Sequence, residues 1–215
     1  MIIDHNHPVY RRKWKWLGNG KYNGAFYYSQ EIVQNIIPRV QTDRNWITIL
    51  VPNVAVDHSI VFIHNNLHPE YYDYLKPYKD LILVCGIQKT ADTLQERIGH
   101  KAIYLPLSVD TEYVKQFIRP KTKDTAYIGR LEKVQYMDLP KGIDYIHGIK
   151  REILLRTAAQ YRNVYAVGRT AIECKILGCN ILNADRRYKH TEWQVLDNKD
   201  AAILLQEKLD RLGGY

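Results

Sequence analysis

The stretch 163-NVYAVGRTAIECKILGCNIL-182 has the pattern of a strand, a turn, a helix and a second strand. Its central apolar residues recur at helical spacing: Ala171, Ile172, Ile176 and Leu177. Gly178 then stands where a helix C-cap is expected, and the apolar residues after it begin a short buried strand. A buried strand that follows a helix in this way is typical of a parallel sheet covered by helices.

The same alternation extends over most of the chain. Apolar, β-branched runs predict strands at 45–51, 58–66, 79–87, 101–107, 125–131, 163–168 and 179–182. Helix-like segments lie between most of these runs, at 29–37, 69–75, 90–98, 152–161, 169–177 and 201–212. The sequence therefore predicts an α/β protein with parallel sheets.

The composition is that of an ordinary globular protein, with 215 residues, 46% of them hydrophobic and 25% charged. No apolar run approaches the roughly 20 residues that span a bilayer, and the first residues lack the apolar core of a signal peptide. We therefore expect a cytoplasmic protein without membrane insertion, located in the host cytoplasm if a phage encodes it. The cysteines, Cys85, Cys174 and Cys179, show no metal-ligand spacing and are interpreted as small buried hydrophobes.

The formal net charge of +8 is concentrated in the second half of the chain. Residues 1–110 carry 12 Lys and Arg against 10 Asp and Glu, whereas residues 111–215 carry 19 against 13. Such a surplus suits the binding of phosphate, a nucleotide or nucleic acid. A solvated basic surface is the alternative, because no Lys/Arg block is dense enough to require DNA.

The alternation of strands and helices breaks at 106–124, where a proline, a short helix and a polar basic stretch follow one another. We divide the chain there into an N-terminal domain, 1–110, and a smaller C-terminal domain, 111–215.

Three segments, in this order, resemble the two-Rossmann (GT-B type) glycosyltransferases, which move a sugar from a nucleotide donor. The segment "IYLPLSVDTEYV" (103–114) resembles the stretch with which these enzymes leave their first domain. The segments "AYIGRLEK" (126–133) and "PKGIDYI" (140–146) resemble the beginning of the donor-binding domain. The segment "YAVGRTAIECKILGCNIL" (165–182) resembles the glutamate-containing signature helix. The resemblance is to a short member of a phage or bacterial type.

The resemblance implies two Rossmann-like domains whose parallel sheets face a cleft, with an acceptor-side domain first and a truncated donor domain second. Glu173 would accept hydrogen bonds from the donor ribose, and Arg130 and Lys141 would neutralise the leaving diphosphate. The helix N-terminus at Gly168 also suits a diphosphate. A simpler interpretation of Glu173 is that its carboxylate favours the positive end of the helix macrodipole. The expected donor-binding residues are Gly18, Gly20, Gly129, Arg130, Lys141, Tyr165, Gly168, Arg169, Thr170 and Glu173.

Two features depart from the family pattern. The family's first glutamate, which contacts the donor sugar, falls on Tyr165. The interval from Arg130 to Glu173 is short, so at least one strand and helix unit is missing. The chain is then either a minimal enzyme or a degenerate relative that binds a nucleotide or nucleic acid without reacting. An epimerase or a phosphoryl-group enzyme on the same domains is a further alternative.

The N-terminal half offers candidate acceptor-binding residues. His64, Asn65 and Asn66 follow a buried strand, at the edge where open α/β sheets bind ligands. His64 has a pKa range suited to a general base, so the expected catalytic set is His64, Arg130 and Lys141. The alternative is a histidine bonded to backbone. Gly18 and Gly20 either approach a phosphate closely or belong to a flexible loop.

The expected substrates are a nucleotide-diphosphate sugar and an acceptor for which the basic charge favours DNA, for example a modified base. A UDP-sugar is the expected donor, although the residues do not distinguish UDP from GDP or ADP. We expect no further cofactor and no structural metal.

Overall fold

The computed structural model describes residues 1–4, 24–48, 55–64, 68–182, 184–188 and 191–213. The chain forms two compact units: unit 1 comprises Met1–Pro106 and Asn198–Tyr215, and unit 2 comprises Leu107–Asp197. Each unit contains one sheet of parallel strands with helices between them. The predicted α/β class is confirmed.

The described residues of unit 1 form five parallel strands: β1 (Ile2–Ile3), β2 (Asn45–Ile47), β3 (Ser59–Ile63), β4 (Leu81–Cys85) and β5 (Lys101–Tyr104). They lie side by side in chain order. Strands β3 and β4 are buried along their whole length, because helical segments cover both faces, and both therefore read as continuous apolar runs. The order does not reverse among these described strands, so the sheet lacks the crevice that a reversal creates.

Unit 2 has four parallel strands: β6 (Lys123–Ile128), β7 (Asp144–Ile146), β8 (Tyr161–Tyr165) and β9 (Asn180–Leu182). Their spatial order is β7, β6, β8, β9. The chain thus places β7 on one side of β6 and β8 on the other side. This sheet has a reversal of strand order, and it lies between β6 and β8.

The α-helices of the described residues are α1 (Gly24–Glu31), α2 (Gln88–Ile98), α3 (Thr111–Lys115), α4 (Arg151–Ala158), α5 (Arg169–Ile176) and α6 (Asn198–Arg211). Helix α1 continues into a π-helical segment, Ile32–Ile36. Short 3₁₀ helices occupy Ile37–Arg39, Pro69–Leu75, Leu131–Tyr136 and Arg186–Tyr188. Each unit has its own apolar cluster, and the buried members of the unit 2 cluster all lie between Val109 and Trp193.

The observed division differs from the predicted one at the C-terminal end. Residues 198–215 were expected in the second domain, but they belong to unit 1. One stripe of α6 is buried, formed by Ala201, Ala202, Leu205 and Leu209, and α6 packs against Ile32–Ile36. The buried Asn198 side chain donates a hydrogen bond to Glu31 across 2.8 Å. The arrangement of the two units about a cleft stays a prediction.

None of the helices in the described ranges has the length and apolar character that a membrane span requires.

Candidate functional site

The carboxyl edge of the unit 2 sheet is the place where the fold favours ligand binding. Open α/β sheets bind ligands outside the carboxyl ends of their strands, where the strand order reverses. In unit 2 this point lies between β6 and β8. The segment after β6 begins with Gly129 and Arg130, and the segment after β8 leads to Gly168 and Arg169. Two of the three segments that resemble the glycosyltransferases therefore meet at the reversal.

The turn after β6 depends on a close approach at Gly129. The buried Tyr127 hydroxyl donates a hydrogen bond to the carbonyl of Arg130 across 2.7 Å. A Cβ atom on Gly129 would lie 2.6 Å from that hydroxyl oxygen. A glycine at this position therefore allows the turn to close. The side chain of Arg130, the next residue, is exposed and lies 3.3 Å from Glu132.

The turn after β8 requires a glycine for a conformational reason. Gly168 has φ +63° and ψ −141°, a backbone conformation that is essentially restricted to glycine. It serves as the N-cap of α5 without a side-chain cap. The first N–H groups of α5 therefore point toward the carboxyl edge of the sheet, where they favour an anion.

The amino-terminal half of α5 carries a buried ionic cluster. Glu173 Oε1 lies 3.0 Å from Arg151 Nε and 2.8 Å from Arg151 Nη2, and Arg169 Nη2 lies 3.7 Å from the same oxygen. The Glu173 side chain is only 8% exposed, and its two arginine partners are 14% and 9% exposed. The carboxylate predicted to bind ribose is thus engaged with two guanidinium groups of the protein.

A second group of cations follows β9. Arg187 forms two hydrogen bonds with the buried Asp185 carboxylate, at 2.9 Å and 2.6 Å. Its guanidinium lies 3.8 Å from the centre of the Tyr136 ring, in cation–π contact. Arg186 donates to the carbonyl of Gln135 across 3.2 Å. These contacts tie the segment after β9 to the segment after β6.

Lys133 lies among these cations, one helical turn after Arg130. Its backbone N–H donates to the Arg130 carbonyl across 3.0 Å. Burial, and after it the nearby guanidinium groups of Arg130 and Arg187, lower the pKa of the Lys133 ammonium to about 8. The ammonium is therefore less favoured here than in water, chiefly because of burial and then because of the neighbouring guanidinium groups.

We use the name arginine cluster for two groups of side chains taken together, one around Glu173 and one around Asp185. Its basic members are Arg130, Lys133, Arg151, Arg169, Arg186 and Arg187, and its acidic members are Glu132, Glu173 and Asp185. The basic members outnumber the acidic ones two to one. Such an arrangement can bind a phosphate or diphosphate through charge-assisted hydrogen bonds.

The structure brings together some of the predicted donor-binding residues. Gly129, Arg130, Tyr165, Gly168, Arg169, Thr170 and Glu173 lie at the carboxyl ends of β6 and β8 or in the first turns of α5. Tyr165 ends β8 and pairs in register with Tyr127. Lys141 is exposed and precedes the amino end of β7, and no described contact joins it to Arg130. Gly18 and Gly20 lie outside the described residues.

The predicted acceptor residues belong to unit 1. His64 follows β3 and is half-buried, and Nε2 of its ring donates to the carbonyl of Thr48 across 2.9 Å. This is the contact expected for a histidine bonded to backbone. Asn65 and Asn66 lie outside the described residues, and a general-base role of His64 stays a prediction.

Sequence reasoning missed several members of the arginine cluster. Arg151 begins the helix that follows β7, but the three-residue strand was not predicted, so its carboxyl end was not recognised. Lys133 lies within the segment "GRLEK", three residues after Arg130. Residues at this spacing lie on the same side of a helical turn, and this could have indicated that the two cations are neighbours. Arg187 follows β9 in "DRRY", a basic pair just after a predicted strand.

Among the residues that the structure describes, no group of three or more His, Cys, Asp or Glu side chains is arranged to hold a metal ion. No family model, curated protein or solved structure matches the chain.

Proposed function

We propose that the chain is a glycosyltransferase that binds a nucleotide-diphosphate sugar at the carboxyl edge of the unit 2 sheet. The observation that carries the proposal is the arginine cluster, of which Arg130, Lys133 and Arg169 follow the two strands at the reversal of order, beside the N-terminus of α5. A nucleoside diphosphate is the ligand class that this combination suits best.

In this proposal the diphosphate lies between the segment after β6 and the first turn of α5. Arg130 and Lys133 would contact it from the first side, and Arg169 and the N–H groups of α5 from the other side. Negative charge on the diphosphate grows as the bond to the sugar breaks, so fixed cations at this position stabilise the transition state more than the ground state.

Glu173 has a modified role in this proposal. Its Oε1 atom holds the side chains of Arg151 and Arg169 in place, and Oε2 is the atom that would accept a ribose hydroxyl. Tyr165 stands where the family has its first glutamate, and its ring would form a wall beside the sugar. The acceptor that we propose is a polyanion, DNA in particular, because the formal net charge of the chain is +8.

Binding is tested first, by calorimetry with UDP, GDP, ADP and inorganic pyrophosphate. Turnover is tested next, by measuring sugar release from a panel of nucleotide sugars with and without duplex DNA. We expect at least one nucleoside diphosphate to bind and the matching nucleotide sugar to be turned over. Binding without sugar release from any donor would favour the alternative, a non-catalytic nucleotide-binding module.

Arg130→Ala tests the position of the diphosphate. We expect it to lower turnover by at least about tenfold, since removing a cation from a developing anion costs more than about 1.4 kcal/mol of transition-state stabilisation. The matched control is Arg156→Ala on α4, because Arg156 is similarly exposed and also pairs with a nearby glutamate. Equal turnover in both variants would place the diphosphate elsewhere. The resemblance also predicts a loss of turnover in Lys141→Ala, but Lys141 precedes the amino end of β7, opposite the edge that we propose for the diphosphate.

A further inference from the structure

The C-terminal end of α5 holds two thiols in contact with each other. The backbone N–H of Cys179 donates to the carbonyl of Cys174 across 2.9 Å, and that of Gly178 donates to Lys175 across 2.9 Å. This is the Schellman pattern, which brings the side chains on either side of the glycine turn together. The Cys174 thiol is hydrogen-bonded to Cys179, and both residues are buried, with 7% of Cys179 exposed.

An ammonium group lies beside this pair. Nζ of Lys121 donates to the carbonyls of Leu177 and Ala159, at 2.7 Å and 3.0 Å, and lies 3.3 Å from Cys179 Sγ. The two carbonyls belong to the ends of α5 and α4, so Lys121 caps both helices. Its contact with the sulfur favours the thiolate form of Cys179 over the thiol form.

The two sulfurs differ in acidity, and each difference follows from these contacts. The hydrogen bond from Cys174 and the hydrogen bond from Lys121 lower the pKa of the Cys179 thiol. The hydrogen bond to Cys179 and complete burial raise the pKa of Cys174. The third cysteine, Cys85, belongs to unit 1 and not to this pair. Burial raises the pKa of its thiol to about 12.

We propose that Cys174 and Cys179 form a redox-active dithiol, in which Cys179 reacts first with a hydroperoxide and Cys174 then closes a disulfide. In the first step the Cys179 thiolate attacks the outer oxygen of the hydroperoxide, an S–O bond forms, and the O–O bond breaks. The alkoxide takes a proton and leaves as an alcohol, or as water when the oxidant is hydrogen peroxide. Cys179 is then a sulfenic acid.

In the second step the Cys174 sulfur attacks the sulfur of that sulfenic acid. The S–S bond forms as the S–O bond breaks, and the hydroxide leaves as water with the proton of the Cys174 thiol. Two thiols have then lost two electrons and two protons to one hydroperoxide. A pair of small apolar residues would satisfy the Schellman contact equally well, but it would not present a sulfur to the Lys121 ammonium.

The test uses the full chain, reduced and freed of reductant, then exposed to hydrogen peroxide and alkylated before digestion. Trypsin cuts after Lys175, between the two cysteines, so a disulfide joins the peptides TAIECK (170–175) and ILGCNILNADR (176–186). We expect this linked pair to appear, while the Cys85 peptide DLILVCGIQK (80–89) is recovered as an alkylated thiol. Recovery of the two peptides only as separate alkylated or overoxidised species would overturn the proposal.

Variants test the roles of the three side chains. Lys121→Met should slow the reaction at neutral pH by about tenfold because it lowers the thiolate fraction, whereas Lys121→Arg should retain most of the rate. The control Lys123→Met, which removes an ammonium bonded to Tyr161 instead, should have no effect. Cys174→Ser should stop at a Cys179 sulfenic acid that dimedone traps, and Cys179→Ser should leave Cys174 unreactive. Trapping at Cys174 instead, or an equal rate in Lys121→Met, would contradict the assigned order.

Discussion

Glu173 compensates two buried guanidinium groups with a single carboxylate oxygen. Such a group is difficult to replace, because removing its charge leaves two cations close together in a site from which water is largely excluded. The residue that the sequence singled out for ligand binding is therefore also a structural residue of unit 2. Its substitution will change folding and binding together, and both have to be measured.

Glu173→Gln should lower the free energy of unfolding by about 3 kcal/mol, since it removes the charge of a buried ion pair but keeps the shape of the side chain. Urea unfolding followed by circular dichroism measures the change. The matched control is Glu152→Gln on α4. Its ion pair with Arg156 is more than half exposed, so its loss should cost less than about 0.5 kcal/mol. Equal stability of the two variants would contradict the structural role of Glu173.

Lys133 predicts a pH dependence of ligand binding. Its pKa of about 8 in the unliganded protein results mainly from burial, and a bound diphosphate would raise that pKa by favouring the ammonium form. The affinity for a nucleoside diphosphate should therefore fall as the pH rises from 7 to 9, and binding should take up protons at pH 8. Calorimetry in two buffers of different ionisation enthalpy measures this uptake.

Lys133→Arg is the control for this prediction, because a guanidinium keeps its charge throughout the pH range. The decline in affinity should be reduced and the proton uptake lost in this variant. An unchanged pH profile would mean that Lys133 does not face the bound anion.

At the scale of elements, sequence periodicity predicted the longer strands and most helices. Strands β3 and β4 have five consecutive buried positions each, all of them apolar except Ser59. The pattern of 163–182 correctly predicted β8, α5 and β9. The two-residue β1 and the three-residue β7 are too short to show any period. The segment Pro69–Leu75 was predicted as helical and forms a 3₁₀ helix.

The candidate site was only partly predictable for the same reason. Residues within a continuous motif, such as Arg130 and Gly168, could be placed from the sequence because their neighbours define a turn. The contact of Arg151 with Glu173 depends on where β7 ends, and that of Arg187 with Tyr136 joins segments 51 residues apart. Contacts between residues so far apart in the chain leave no periodic pattern from which a single sequence could predict them.

A charge network joins the amino ends of three strands in unit 1. His58 precedes β3, and its ring nitrogens lie 2.6 Å from Asp80 and 3.1 Å from Asp43. Asp80 precedes β4 and also pairs with Arg44, just before β2, at 2.9 Å. The hydrogen bonds with Asp80 and then Asp43 raise the pKa of His58, and those from Arg44 and His58 lower the pKa of Asp80.

The stability of unit 1 should accordingly depend on pH in two directions. The ion pairs of His58 contribute fully to the free energy of unfolding below pH 6.5, the pKa of the unfolded state. This contribution is lost as the pH rises through the higher pKa of the folded state. The contribution of Asp80 is complete above 3.8 and is lost as the pH falls through the lower folded pKa. The network should therefore be strongest between these values, with an effect below about 1 kcal/mol because the groups are largely exposed.

Unfolding measured between pH 5 and 8.5, for the wild type and for His58→Asn, tests the upper limit. Asparagine suits this position because His58 has a positive φ of 55°. In His58→Asn the free energy of unfolding should no longer fall above pH 6.5. The control is His68→Asn, which changes a second exposed histidine paired with a carboxylate; in this variant the free energy of unfolding should still fall. A decline that persists in His58→Asn would have to come from other groups.

At the scale of the whole molecule, unit 1 is built from two separate parts of the chain, and unit 2 is built from one. The α6 helix supplies four buried apolar side chains to unit 1, and Lys101 on β5 donates to the carbonyl of Leu212 across 2.9 Å. The buried apolar cluster of unit 2 uses no residue beyond 197. The two units should therefore respond differently to the loss of α6.

Deletion of residues 198–215 should destabilise unit 1 selectively. Hydrogen exchange followed by mass spectrometry should show faster exchange in the segment 32–39 and in β2 to β5, because unit 1 loses the helix that packs against that segment and opens more often. Peptides from β6, β8 and α5 should keep their wild-type protection. Faster exchange throughout both units would show that unit 2 does not fold as an independent body.

The return of α6 to unit 1 also bears on how the polypeptide acquires its structure on the ribosome. Residues 107–197 leave the exit tunnel before α6, which packs against the helical segments at 32–39 of unit 1, so the later unit can complete its core first. The segment 32–39, against which α6 packs, must then wait until residues 198–211 have been translated. During that interval the apolar residues that α6 covers are exposed to chaperones and to neighbouring nascent chains, and conditions that slow elongation between residues 107 and 211 should increase aggregation of the nascent chain.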